Sequence, residues 1–316
     1  MSTRTHAQRE RILRTLTFWL RPAFVLRVIN RFQKVVGFDR AIALASSAFT
    51  ALIPLAILAG TILARGDATE TADRIIARYG LSGAGAEAVK DVLSPATGSN
   101  TDIGILGVFL LVVAVLSFTR GVQRLFEQTW ELDPLSVRNT VNGLLWIVGF
   151  GSYIAFSWWI RSLLDGGRLE VLANVLLIPE SAVFLAWSGR VLTARRISWR
   201  NLLPFAIIGS GVLALTLIAA GAYVPHLFTS YASRYGTIGA VLAMISTLFA
   251  LMVVLVASAA IGREVSDELD RIGRGERPPD DEVKREWDAV IHQARSRTQT
   301  LRERIHRLRQ RDRQPQ

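Results

Sequence analysis

The sequence predicts an all-α polytopic membrane protein with about six transmembrane helices, N-terminus in and C-terminus in, flanked by amphipathic interfacial helices. Three observations predict it. Uncharged, largely apolar runs recur at residues 41–64, 103–119, 140–160, 201–225 and 237–262, with a weaker one at 172–192. At about 1.5 Å per residue, such runs cover most or all of a hydrocarbon core of roughly 30 Å. They show neither the alternation of a strand nor the polar face of a soluble helix. The third observation is charge placement. Nine Arg or Lys precede Ala41 against Glu10 and Asp39, and Arg190, Arg195, Arg196 and Arg200 lie between the fourth and fifth runs without an acid. Residues 65–102 instead carry four basic and six acidic residues, and the segment before Thr237 only Arg234. This positive-inside bias puts both termini in the cytoplasm and accounts for the net charge of +11 without nucleic acid as a partner.

Residues 1–40 mix arginines with Leu16, Trp19, Leu20, Phe24, Val28, Ile29 and Phe32, a basic amphipathic arm for the inner leaflet with Pro22 starting or breaking a helix. Each exposed Arg gains about 1 kcal/mol from anionic lipid. No small-residue cleavage site follows, so the first span reads as an uncleaved anchor. The membrane domain is then 41–262.

The first span holds Ser47, Thr50 and Pro54. A proline inside a span frees a backbone carbonyl, so these residues mark either a kink at a helix interface or the lining of a polar path. The outer segment, 66–102, offers two short amphipathic helices, at 69–79 and 86–93, joined by Gly-Leu-Ser-Gly-Ala-Gly. The second span runs without a helix stop into Arg120, Arg124, Glu127 and Glu131, with Val122, Leu125, Phe126 and Trp130 at three- and four-residue spacing. That pattern reads as an amphipathic elbow leaving the bilayer, its charges in intrahelical ion pairs and Trp130 at headgroup level.

Ser157, Trp158, Trp159 and Arg161 anchor the third span at the outer interface, and Asp165, Gly166 and Gly167 turn the chain. Glu180 follows Pro179. Either it lies inside the bilayer, a functional signal by default, or Pro179 is the first helical residue and Glu180 sits in the first turn; Pro followed by Glu favours the second. Arg190 snorkels at the inner end. Ser47, Thr50, Pro54, Glu180 and Arg190 together form the candidate polar path. Gly209, Gly211 and Gly221 permit close helix contact in the fifth span. Three spans entering from each side permit an inverted repeat, although no sequence echo supports one. The cytoplasmic tail, 263–316, begins with a linker, Gly-Arg-Gly-Glu-Arg-Pro-Pro-Asp-Asp, and continues as a basic heptad helix over 283–311 through Trp287, Ile291, Ala294, Thr298, Leu301, Ile305 and Leu308. A homo-oligomeric coiled coil, a helix on anionic lipid and a solvated helix all fit this tail, the first two better.

The chain has no cysteine, no phosphate-binding loop, no HExxH and no GxSxG, and His6, His226, His292 and His306 are scattered. We therefore expect no catalytic residue, no metal site, no cofactor and no enzyme activity, and the spacing of Glu127, Glu131 and Asp133 is not that of a nuclease metal cluster.

Five segments together resemble the YihY/virulence factor BrkB family of bacterial inner-membrane proteins: FDRAIALASSAFTALIPLAIL, LSFTRGVQRLFEQTWEL, RRISWRNLLPFAIIGSG, SYASRYGTIGAVLAMI and IGREVSDEL. The resemblance covers about Phe38 to Leu269. It departs at Met244–Phe249, where the family carries a Trp-rich patch, and at Arg263, where the family tends to have Ala. It implies a six-helix inner-membrane protein of unsettled activity, often described as a transporter; an older ribonuclease label of the family finds no support in these residues. The proline-broken first span and Glu180 lead us to expect a protein that moves or binds a solute or lipid. The rival expectation is a scaffold that acts through its C-terminal helix.

Overall fold

The computed structural model describes residues 11–63, 101–135, 139–163, 169–276, 279 and 281–292, with five isolated positions between 73 and 90. Apart from those five positions, the expected outer helices lie outside the described residues, as do the heptad positions beyond residue 292. After a 3-10 turn, Phe18–Leu20, come α1 (Pro22–Lys34), α2 (Gly37–Leu63), α3 (Thr101–Thr129), α4 (Thr140–Leu163), α5 (Leu169–Leu192), α6 (Trp199–Arg274) and α7 (residues 282–292). No strand occurs among the described residues. Five helices are long and apolar enough to cross a membrane, and six are counted when residues 22–52 are taken as one bent span.

Local chemistry sets the helix ends. Pro22 is the first residue of α1, where its missing N–H costs nothing. α3 closes with Glu131 at φ 54 while the Leu132 N–H reaches the Glu127 carbonyl at 2.7 Å, and α5 closes likewise with Ala194 at φ 53 and the Arg195 N–H on the Arg190 carbonyl at 2.8 Å. Two boundaries differ from expectation. Pro179 does not start α5 but lies inside it, because the helix begins at Leu169; the freed backbone is tolerated as in other membrane helices. The fifth and sixth spans also have no loop between them. α6 is helical throughout except at Gly236, whose φ of 59 and ψ of −139 fall in a region nearly exclusive to glycine. There the chain reverses, so that Gly262 of the second arm meets Phe205 of the first.

The chain divides into two compact units, one of Gly37–Arg263 and one of Met1–Val36 with Glu264–Gln316. In the first, α2 packs along α3, α4 along α5, and α3 also touches α4 and α5. Leu44, Leu125, Phe126, Phe205, Val256 and Ala259 are fully buried there. Phe205 meets the rings of Phe126 and Trp130 edge-on, at 5.3 and 6.0 Å between centroids. Trp130 is therefore 6% exposed, buried in the bundle, and α3 runs unbroken through the expected elbow.

The second unit is held by charge. Arg27, on the buried face of α1, donates from Nε to Glu264 Oε1 at 2.7 Å, from Nη2 to Glu268 Oε2 at 2.8 Å and from Nη1 to the Glu282 carboxylate. Arg31 engages Glu264 at 2.9 Å and Asp267 at 2.9 Å, and Arg14 reaches Glu268 at 3.1 Å. Burial disfavours the Arg27 cation, but the fields of Glu282, Glu264 and Glu268 outweigh it and hold its pKa above the ordinary arginine range. Three arginines of the amphipathic arm thus meet carboxylates of their own chain.

Candidate functional site: two cavities on α3

α3 presents different chemistry on different faces. On one, Phe118, Val122 and Phe126 join Trp146, Phe150 and Phe184 to line an apolar cavity of about 240 Å³ shared with α4, α5 and both arms of α6. Four of its polar groups are engaged in hydrogen bonds between helices: Trp146 Nε1 donates to Ser188 Oγ at 2.9 Å, and Tyr153 and Ser181 share a hydroxyl contact of 2.9 Å. A third pair lies one turn further along, where Ser157 Oγ donates to Glu180 Oε1 at 2.7 Å. Such pairs glue apolar helices together when lipid supplies no competing partner. Glu180 Oε2 is buried and accepts no hydrogen bond among the described residues.

On another face of α3, Ser117, Arg120 and Arg124 join Arg40, Ala43 and Ser47 of α2 to line a cavity of about 510 Å³. Among the described residues no carboxylate lines it. Arg120 and Arg124 also border an adjoining cleft of about 380 Å³, with Gln123, Glu127 and Asn139. The expected intrahelical pairing does not form at Glu127. That carboxylate is 3% exposed and accepts from Gln123 Nε2 at 2.8 Å, from the Leu135 N–H at 3.0 Å and from Arg196 Nη2 at 3.3 Å. Arg196 also donates to the Asp133 carbonyl at 2.7 Å, tying the end of α3 to the turn after α5. Glu127 is thereby committed to Arg196, and Arg120 and Arg124 have no ion pair among the described residues. Arg40 donates to Gln128, and its Nε is buried without an acceptor.

The five residues of the expected polar path do not converge. Ser47 lines the arginine cavity, though its hydroxyl donates to the Ala43 carbonyl at 2.9 Å; Thr50 does the same to Ser46 at 2.9 Å. Pro54 is buried within α2. Glu180 sits inside α5 against α4, and Arg190 donates to the Ile197 carbonyl at 2.9 Å and stacks on Trp199 at 5.2 Å. The elbow residues Arg120 and Arg124 instead become cavity wall, Glu127 a buried anchor, and Glu131 the left-handed residue that ends α3. Sequence reasoning missed Arg40, Ser117, Ser157 and Arg196. Among the described residues no group of three or more potential ligands is placed to hold a metal.

The profile of the Virulence factor BrkB family matches residues 28–283. A UPF0761 membrane protein of Stenotrophomonas maltophilia strain K279a is 24% identical over 277 residues, and its counterpart in strain R551-3 is equally similar; each match covers 80% of this chain. The chain spans 65% of the length of these curated relatives. No solved structure matches. With the family profile aligned from within α1 to the start of α7, the chain belongs to the Virulence factor BrkB family of membrane proteins.

Proposed function

We propose that the protein is a permease of the plasma membrane, both termini cytoplasmic, that takes an amphiphilic lipid or solute into its helix bundle and moves it across the bilayer. The supporting observation is the pair of cavities on α3, one aromatic and one lined by arginines. An anchor needs neither, whereas a ligand with an apolar chain and a polar head needs both kinds of surface. The polar pair of Ser157 and Glu180 beside the apolar cavity adds an ionisable group within a span, a costly feature for a purely structural helix. No step in this reading calls for a catalytic residue, a metal or a cofactor.

The test is leaflet exchange of a fluorescent short-chain phospholipid in vesicles containing the purified full chain, read by quenching of the outer leaflet. The protein is expected to accelerate exchange over empty vesicles. Leu213→Trp, which fills the apolar cavity, is expected to slow it by roughly tenfold, the factor produced by about 1.4 kcal/mol of added barrier. Exchange at the rate of empty vesicles, or an unaffected Leu213→Trp protein, sinks the proposal. A scaffold acting through the C-terminal helix would leave exchange at background while deletion of residues 283–316 abolished self-association.

A further inference from the structure

Several arginines of this chain are matched to acids: Arg14, Arg27, Arg31 and Arg271 meet Glu264, Asp267, Glu268 and Glu282, and Arg196 meets Glu127. The arginine cavity differs. Arg40, Arg120 and Arg124 converge on about 510 Å³ without a carboxylate among the described residues, the nearest acid on α3 being already committed to Arg196. Each guanidinium carries five N–H donors in a fixed fork. Against these the described residues set one acceptor, the Gln128 side chain on Arg40. Three like charges held together, one with a buried unpartnered Nε, are stabilised by an anion between them.

Position and shape narrow the anion. Arg120 directly follows the uncharged run Ile103–Thr119, which at about 1.5 Å per residue brings its guanidinium to the polar edge of the bilayer. The remaining wall, Leu44, Val113 and Leu116, is apolar and continues along α2 and α3 into the span. Forked donors above an apolar wall suit a tetrahedral phosphate attached to a hydrocarbon chain better than a small soluble anion.

We infer that Arg40, Arg120 and Arg124 form a binding site for the phosphate group of an anionic membrane lipid, the headgroup seated on the three guanidinium groups and one chain lying on Val113 and Leu116. The inference rests on the permease reading in supplying that reading's ligand class, but its readout is binding rather than exchange. Failed exchange therefore leaves the site standing, and a failed site leaves exchange standing.

The test uses the purified full chain in a neutral detergent, titrated separately with dioctanoyl phosphatidylglycerol, dioctanoyl phosphatidylcholine and inorganic phosphate, with complexes counted by native mass spectrometry. Phosphatidylglycerol is expected to bind one per chain and at least about tenfold more tightly than phosphatidylcholine, a difference of about 1.4 kcal/mol. Arg120→Ala with Arg124→Ala is expected to erase that preference, and Arg124→Lys to keep part of it. Should the double variant fail to fold, Ser117→Trp, which blocks the cavity without touching a charge, is expected to abolish the same binding. Arg190→Ala, whose guanidinium lies on Trp199 away from the cavity, is expected to bind as the parent does. Equal affinity for the two lipids, or a preference that survives both Arg120→Ala/Arg124→Ala and Ser117→Trp, overturns the site. Binding of inorganic phosphate with no preference between the lipids overturns the lipid assignment and makes the occupant a free anion.

Discussion

Arg27→Leu is expected to release α7 from α1. The Arg27 side chain is 10% exposed and is shared by Glu264, Glu268 and Glu282, of which Glu264 and Glu268 are themselves 6% and 3% exposed. Removing one partner of a buried ion pair costs roughly 3–5 kcal/mol, mostly because the remaining charges are left in a poor solvent. Here the lower end applies. Glu264 keeps Arg31, Glu268 keeps Arg14, and Glu282 keeps Arg271 at 3.1 Å. About 3 kcal/mol corresponds to roughly hundredfold faster amide hydrogen exchange over residues 282–292 if those amides exchange by opening of this unit. Arg27→Lys supplies one compact charge where a fork served three carboxylates, and is expected to lose part of the protection. Adding Glu282→Gln to Arg27→Leu removes one stranded charge and is expected to return some of it. Unchanged exchange in Arg27→Leu would show that the ion pairs do not hold this unit.

Gly262→Ala is expected to destabilise the bundle, against the usual sign. In an exposed helix Gly to Ala stabilises by about 0.4–1 kcal/mol through helix propensity and unfolded-state entropy. At Gly262 a Cβ would lie 2.3 Å from Phe205 Cα and 2.7 Å from its N, backbone atoms that no side-chain rotation can move. The arms of α6 must separate, and Phe205, seated on Phe126 and Trp130, must leave its pocket. Overpacking of this kind costs about 1–3 kcal/mol, which outweighs the propensity gain. Gly211, where an added Cβ would meet nothing within 4 Å, provides the contrast. Thermal unfolding in detergent is expected to move down by several degrees for Gly262→Ala and to stay level or rise for Gly211→Ala. A rise for both would mean that the arms of α6 are not in backbone contact at Phe205.

The helices were legible because a hydrocarbon core selects for runs without charge, and Ile103–Thr119 or Thr140–Ile160 satisfy no other solvent. Their ends were less so. Pro179 followed by Glu180 carries the local signature of a helix start, yet α5 extends back to Leu169, since hydrocarbon favours a continuous helix over an apolar run even with a proline inside it. The helical reversal at Gly236 was hidden because a single glycine replaces the loop that polar residues would have advertised. The candidate site was legible only in parts. Arg120 and Arg124 stood out, but i,i+3 and i,i+4 reasoning supplied the wrong partner for Glu127, whose cation is 69 residues away on another loop. Arg27 and Glu264 are separated by 237 residues, so a basic arm that meets lipid and one that meets its own tail look alike in composition. The BrkB-like segment Ile261–Leu269 gains a physical reason in this structure: Gly262 admits Phe205, while Glu264 and Glu268 receive Arg27.

That α3 forms the wall of a water-reachable basic cavity, rather than a self-paired elbow, is tested most directly by thiol chemistry. The chain contains no cysteine, so a single introduced one reports without background. Only the thiolate reacts, and hydrocarbon prevents its formation while nearby arginines favour it. Ser117→Cys in the cavity is expected to react quickly with an anionic methanethiosulfonate in membrane vesicles, faster than with a cationic one, and phosphatidylglycerol is expected to slow the reaction. Val112→Cys, exposed on the same helix but outside the cavity, is expected not to react. Ser117→Cys as inert as Val112→Cys, towards either reagent, would contradict the cavity.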